Sequence, residues 1–190
     1  MKKIVMLSSL VIGTMLMFSS CEKIKGLTDV DFDADLKADV VTTSEGEAAS
    51  AELKSANERG YAFEGNKVID PTSDSKIDKY WKKICQWEIK KIIVKVKSIS
   101  KDAILKQGQF EIKDESTGAV LLTEEVQDVH LTKGLAVLTI LSTDWGEVIS
   151  ALDAQHSLIV GVNGTLDQAS VSVTYEVVIP VTITANIFNK

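Results

Sequence analysis

The sequence predicts an all-β protein: an antiparallel β-sandwich, immunoglobulin-like or jelly-roll-like, with two short crossover helices. Three observations carry this. From Asp29 to Val40 polar and apolar residues alternate, Val30, Phe32, Ala34, Leu36, Ala38 and Val40 against Asp29, Asp31, Asp33, Asp35, Lys37 and Asp39, which is the period of a half-buried strand. About eight strand-like stretches follow one another along the chain, and their short connections imply antiparallel neighbours. Only two segments have the spacing of a helix.

Taken in order, residues 42–58 are polar and read as a loop, with Ser44-Glu45-Gly46-Glu47 as a turn. Tyr61–Ile69 is a second strand, interrupted or turned by Gly65-Asn66 and stopped by Asp70-Pro71. Ser75 followed by Asp78 resembles a capping box with Asp in place of Glu. Ile77, Tyr80, Trp81 and Ile84 then share one face of a short helix. Ile89–Ile99 returns to strand, with Ile92, Val94 and Val96 on one side and Lys91, Lys95 and Lys97 on the other. Gln109–Lys113 and Ala119–Glu124 flank Asp114-Glu115-Ser116-Thr117-Gly118 as a hairpin, Gly118 being free to take positive φ. Leu131–Leu141 is the next strand. Thr143 or Asp144 caps a second helix carrying Trp145, Val148, Ile149 and Leu152 on one face. Ser157–Val162 and Ser170–Phe188 close the chain as a hairpin, turning at Asn163-Gly164 or at Leu166-Asp167-Gln168-Ala169. Pro180 lacks an N–H, so its strand must lie at an edge there, or bulge and change partners.

The N-terminus reads differently. Lys2 and Lys3 precede fifteen uncharged residues, Ile4–Phe18, and then Ser19-Ser20-Cys21. A basic start, a short apolar core and small residues before a cut are the parts of a secretory signal, and the apolar run is short of the roughly 20 residues needed to span a bilayer. Phe18-Ser19-Ser20-Cys21 resembles a bacterial lipobox, whose cysteine is acylated and whose peptide is cut before it. Phe18 stands where the strict pattern has Leu, a departure usual in lipoproteins of the Bacteroidota. The resemblance implies cleavage between Ser20 and Cys21 and lipidation of Cys21. Two or more acyl chains then hold the protein firmly to a membrane. Residues 1–20 are the signal peptide, 21–27 the lipidated cysteine and a tether reaching about 20 Å, and 28–190 a single domain. Glu22-Lys23-Ile24 lacks the acidic run associated with surface export, which points to the periplasmic face of the outer membrane.

A second resemblance lies in Ser75-Lys76-Ile77-Asp78-Lys79-Tyr80-Trp81-Lys82-Lys83-Ile84, followed by Glu88-Ile89-Lys90-Lys91-Ile92, and in the alternating run Ser170–Ala185. Together these are similar to small Bacteroidota lipoproteins whose short helix leads into a strand. The resemblance implies a β-sandwich without an assigned activity, and it supplies no catalytic residue.

Charge narrows the function further. Without residues 1–20 the chain has 19 basic and 27 acidic residues, 21 less Lys2 and Lys3 against all 27, a net charge of −8. That argues against nucleic acid, whose binding rests on neutralised phosphates. No cofactor motif is present: there is no Gly-x-Ser-x-Gly, His-Glu-x-x-His, Walker loop or dinucleotide fingerprint. Asp31-x-Asp33-x-Asp35 lacks the Gly and Glu of an EF-hand, since Leu36 and Thr42 stand at those positions. A triad would need His130 or His156. No catalytic or metal-ligating residue is assigned. With Cys21 acylated, Cys85 has no disulfide partner and reads as a buried thiol.

Two candidate surfaces remain. Residues 28–58 hold nine acids and two lysines, and residues 76–106 ten lysines and three acids. Adjacent strands would let Lys91, Lys95 and Lys97 neutralise the aspartates. Lying apart, the same lysines would form a patch for a polyanion. Tyr80, Trp81 and Trp87 are a candidate platform for a sugar ring, or core. The expected function is a membrane-anchored envelope lipoprotein, a non-enzymatic binding or structural module held to the membrane through Cys21, with an envelope protein or a glycan as partner. A surface glycan- or polyanion-binding accessory lipoprotein is the alternative, and a small hydrolase is a third class.

Overall fold

The computed structural model describes residues 29–45, 60–141 and 144–187. Among these residues, nine strands form two antiparallel sheets. In sheet I, β1 (Asp29–Thr43) pairs along its whole length with β9 (Ser172–Asn186). The other side of β9 is shared by β3 (Ile84–Ile89) and β4 (Ile92–Ile99), and β7 (Ala136–Ile140) adds to β4. Sheet II has the order β2 (Tyr61–Ile69), β8 (Leu158–Leu166), β5 (Ala103–Asp114), β6 (Val120–Leu131). Helix α1 (Ser75–Tyr80) carries the chain from sheet II to sheet I, and α2 (Gly146–Asp153) carries it back. The sandwich and its two crossover helices are those the sequence predicts.

The course of β9 explains Pro180. β4 covers Val173–Val178 and β3 covers Val181–Ala185, so Pro180 falls at the junction between the two partners. A residue without an N–H is tolerated in this central strand because the ladder is already broken there at Lys90-Lys91. Ile89–Ile99, one strand by sequence pattern, is for the same reason two.

The last two strands differ from the expected hairpin. β8 belongs to sheet II and β9 to sheet I, so residues 167–171 connect the sheets and do not form a hairpin turn. Gly164 is no turn residue either. It opposes Gly108 across the β5–β8 ladder, and a Cβ there would stand 2.2 Å from the Gln107 carbonyl oxygen. Close backbone approach requires the glycine. Gly65 likewise does not interrupt β2: a Cβ there would stand 2.7 Å from the Val41 carbonyl oxygen, so its absence lets β2 close against β1. Leu131–Leu141 is also split, because β6 ends in sheet II and β7 begins in sheet I.

Local caps follow side-chain chemistry. Asp74, one residue before the expected Ser75, caps α1 by accepting from the Lys76 and Ile77 N–H groups at 2.8 and 3.3 Å. Asp144 accepts from the Gly146 N–H at 3.0 Å at the start of α2. Gly118 takes φ 72° in the β5–β6 turn, as its position predicts. The core lies between the sheets. Val40, Val96, Tyr175, Val177 and Ile179 face Leu105, Phe110, Ile112, Leu158 and Val160 there, while Ile77, Trp87, Trp145 and Leu152 extend it under the helices. Full burial of each such aliphatic side chain contributes about 1.5–3 kcal/mol.

Candidate functional site

The outer face of sheet II is a shallow groove of about 990 Å³. Its floor is built by strand register. In β8 the even residues Leu158, Val160 and Val162 turn into the core, so Ile159, Gly161, Asn163 and Thr165 turn out. The partners of these four give four cross-strand rungs. Ala62, Thr165, Gln107 and Gln127 form the first; Glu64, Asn163, Gln109 and Glu125 the second; Asn66, Gly161, Glu111 and Thr123 the third. The fourth, Val68, Ile159, Lys113 and Val120, is largely apolar. Side chains on one rung stand about 4.8 Å apart and successive rungs about 6.8 Å.

Three rungs therefore present five amides, two hydroxyls and three carboxylates in a plane. Asn163 donates through Nδ2 to Gln109 Oε1 at 3.4 Å, and Lys113 pairs with Glu111 at 2.6 Å. Gly161 has only the Gly65 carbonyl oxygen, 4.0 Å away, near its missing Cβ, so the centre of the floor is open. Glu45 stands at the rim. With Glu64, Glu111 and Glu125 against Lys113, the groove is acidic. Sequence reasoning did not find this face. The alternation of Gln107, Gln109, Glu111 and Lys113 is visible in the chain, but the partnership of β2, β8, β5 and β6 is not.

The charged stretches meet in an arrangement different from adjacent strands. β9 separates β1 from β4, about 9.6 Å apart at two strand spacings. Lys97 nevertheless reaches across β9 to Asp39, N···O 2.5 Å, and Lys95 pairs with Glu176 of β9 at 2.5 Å. Lys37 pairs with Asp35 at 2.9 Å. Hydrogen bonding to these aspartates raises the pKa of Lys37 and of Lys97. Asp31 and Asp33 accept from the Thr184 and Thr182 hydroxyls at 2.7 and 2.8 Å, and Asp29 from the Asn186 amide at 3.1 Å. An acidic row on the edge strand also discourages pairing with another chain. Lys91 lies exposed between β3 and β4. The three lysines thus do not act as one cationic patch.

The aromatic residues are likewise divided. Trp87 is 4% exposed in the core and meets Trp81 edge-on at 6.1 Å. Tyr80 leans on Phe32 at 5.5 Å and carries the Lys79 ammonium over its ring at 4.8 Å. Tyr80 and Trp81 are half-buried, so the three do not share one open face. Cys85 is half-buried rather than buried, because it is the extra residue of a bulge in β3. Its thiol donates to the Thr184 carbonyl at 3.4 Å. Ser20 and Cys21 lie outside the described residues.

One histidine does meet a carboxylate. His156 Nδ1 stands 2.9 Å from Asp114 Oδ2. This hydrogen bond, with others from the Ser116 and Thr117 N–H groups and against the opposing effect of burial, holds Asp114 below the usual carboxylate range. Asp114 Oδ1 is occupied by those two N–H groups at 2.7 and 3.3 Å. Beside it the Glu115 N–H donates to the Ser157 carbonyl at 3.0 Å. The pair joins the β5–β6 turn to the α2–β8 connection. Among the described residues no serine hydroxyl is hydrogen-bonded to His156, and no three His, Cys, Asp or Glu residues converge as a metal site. No helix among them is long and apolar enough to cross a membrane. The chain matches no protein-family model and no curated protein.

Proposed function

We propose that this chain is a lipid-anchored protein of the bacterial cell envelope whose sandwich is a non-enzymatic binding module, and that the groove of sheet II takes a neutral polyhydroxylated ligand, a glycan strand. The observation that carries this is the polar ladder. Sugar hydroxyls both donate and accept, as do amides and threonine hydroxyls, while carboxylates accept. An anionic polymer is a poor match for a face bearing Glu64, Glu111 and Glu125 with Glu45 at its rim. It is a poor match for sheet I also, where Lys95 and Lys97 already hold Glu176 and Asp39. Anchoring rests on the signal-like residues 1–20 and on Cys21, and Glu22-Lys23-Ile24, without an acidic run, favours attachment at the periplasmic face of the outer membrane.

The test is titration of the protein with neutral and with acidic polysaccharides by calorimetry. Each hydrogen bond contributes about 0.5–1.5 kcal/mol, so Gln109→Ala or Asn163→Ala should weaken a neutral glycan about two- to tenfold. Binding of acidic polymers alone, or indifference to both substitutions, rejects the groove. For the anchor, Cys21→Ala should leave the protein uncut or soluble; unchanged membrane attachment rejects lipidation.

A further inference from the structure

We infer that the corner formed by Tyr80–Lys83 and the end of β9 is a membrane-contact surface that seats the domain on an anionic phospholipid layer. The inference rests on the reading of Cys21 as the lipidated residue. β1 begins at Asp29, so eight residue steps separate it from Cys21, roughly 28 Å at full extension. The end of the sandwich where β1 starts is therefore held near the lipid.

Several contacts bring the corner to that end. Val30 pairs with Ala185, which also pairs with Ile84, immediately after the Trp81–Lys83 turn. Lys83 Nζ donates to the Ile187 carbonyl at 3.1 Å, and Tyr80 touches Phe32 of β1. The groups gathered here suit a membrane interface. Lys79 and Lys82 are exposed and, among the described residues, neither is in an ion pair. Ile187 is 37% exposed, and Tyr80 and Trp81 are half-buried.

Amphipathic aromatics with lysines whose stems lie on apolar surface settle at the headgroup level. Asp78 is the exposed acid on the same helix, and Asp74 is engaged in the cap. The aspartates of β1 alternate with Phe32: Asp29 and Asp31 accept from Asn186 and Thr184, and Asp33 and Asp35 lie towards Asp74 and Lys76 at the start of α1, at the opposite end of the helix from Tyr80. Within residues 78–83 the lysines at 79, 82 and 83 exceed the one acid, Asp78. Acyl chains alone would let the domain swivel on its tether. This corner fixes which end meets the lipid, and it leaves the groove of sheet II clear for a ligand.

The experiment uses the full lipidated chain in vesicles of phosphatidylethanolamine with phosphatidylglycerol, brominated near the headgroup end of the acyl chains. Trp87 and Trp145 are 4% and 7% exposed, so quenching of tryptophan emission reports Trp81. We expect quenching that disappears in Trp81→Phe. A juxtamembrane lysine is worth about fivefold in association with an anionic surface. Lys79→Gln, Lys82→Gln and Lys83→Gln combined should therefore remove most of the quenching, as should replacing both lipids by phosphatidylcholine. Protein that sediments with vesicles yet shows no quenching overturns the contact surface and leaves the anchor standing. Quenching indifferent to the three lysines and to lipid charge overturns it as well. Protein that does not sediment overturns the lipid anchor, and the contact surface with it.

Discussion

Tyr175 offers a prediction that runs against the usual effect of a core substitution. It lies in β9, paired with Val40 on one side and Val96 on the other, and it stacks on Phe63 of sheet II at 6.2 Å. The side chain is 1% exposed, and its hydroxyl has no hydrogen-bond partner among the described residues. An unpaired buried hydroxyl costs about 1–3 kcal/mol by mutational measures. Tyr175→Phe keeps the ring and removes the oxygen, so it should stabilise the protein by about 1–2 kcal/mol. At about 2–4 °C per kcal/mol for a chain of this size, Tm should rise roughly 2–8 °C. Burial also pushes the phenol well above its ordinary range. The unfolded chain ionises it near pH 10 while the folded chain resists, so wild-type stability falls as pH rises past that point. The variant has no such loss, and the gap between the two should widen above about pH 10. Denaturant unfolding at neutral and alkaline pH measures both effects. A variant less stable than wild type by 1 kcal/mol or more would mean the hydroxyl has a partner, such as a buried water, and would refute the reasoning.

Three further predictions concern the frame. Gly164→Ala places a Cβ 2.2 Å from the Gln107 carbonyl oxygen and should cost about 2–4 kcal/mol, read by denaturant unfolding, since main chain must move. A loss below 0.5 kcal/mol would show that β5 and β8 have room. Trp87→Ala should cost about 3–5 kcal/mol as a core cavity; a sugar-platform residue would instead lose binding and keep stability. Asp114 is held below its ordinary range, so its contribution is present above about pH 4 and is lost as pH falls through the lower folded value. His156→Ala removes the leading cause, and its difference from wild type should shrink in acid unfolding experiments as Asp114 protonates. A difference that grows in acid contradicts the pairing.

Strand content and face assignment were legible because period-two alternation is local. β1 read correctly from Asp29 to Val40, and Pro180 marked a place where its strand must lie at an edge, or bulge and change partners; it changes partners in a central strand. Sheet membership was not legible, because it depends on contacts far apart in sequence. β8 and β9 looked like a hairpin only because they are consecutive. Gly65 and Gly164 looked like breaks because a close approach of backbones leaves the same residue as a turn. Of the lysines expected to neutralise the aspartates of β1, only Lys97 does so, reaching across β9 to Asp39, while Lys95 pairs with Glu176 of β9; no adjacent-strand rule supplies that geometry. The groove was hidden for the deepest reason: its rungs draw on four strands whose order the chain does not spell out.

The central claim is that this is a binding module and that its ligand lies across the outer face of sheet II. Backbone amide chemical-shift mapping during titration with neutral glycan fragments tests it most directly. The account predicts shifts concentrated on Gln107, Gln109, Glu111, Asn163, Thr165 and Glu125. Shifts at Lys95, Lys97, Tyr80 or Trp81 instead, or none with any neutral glycan, would contradict it.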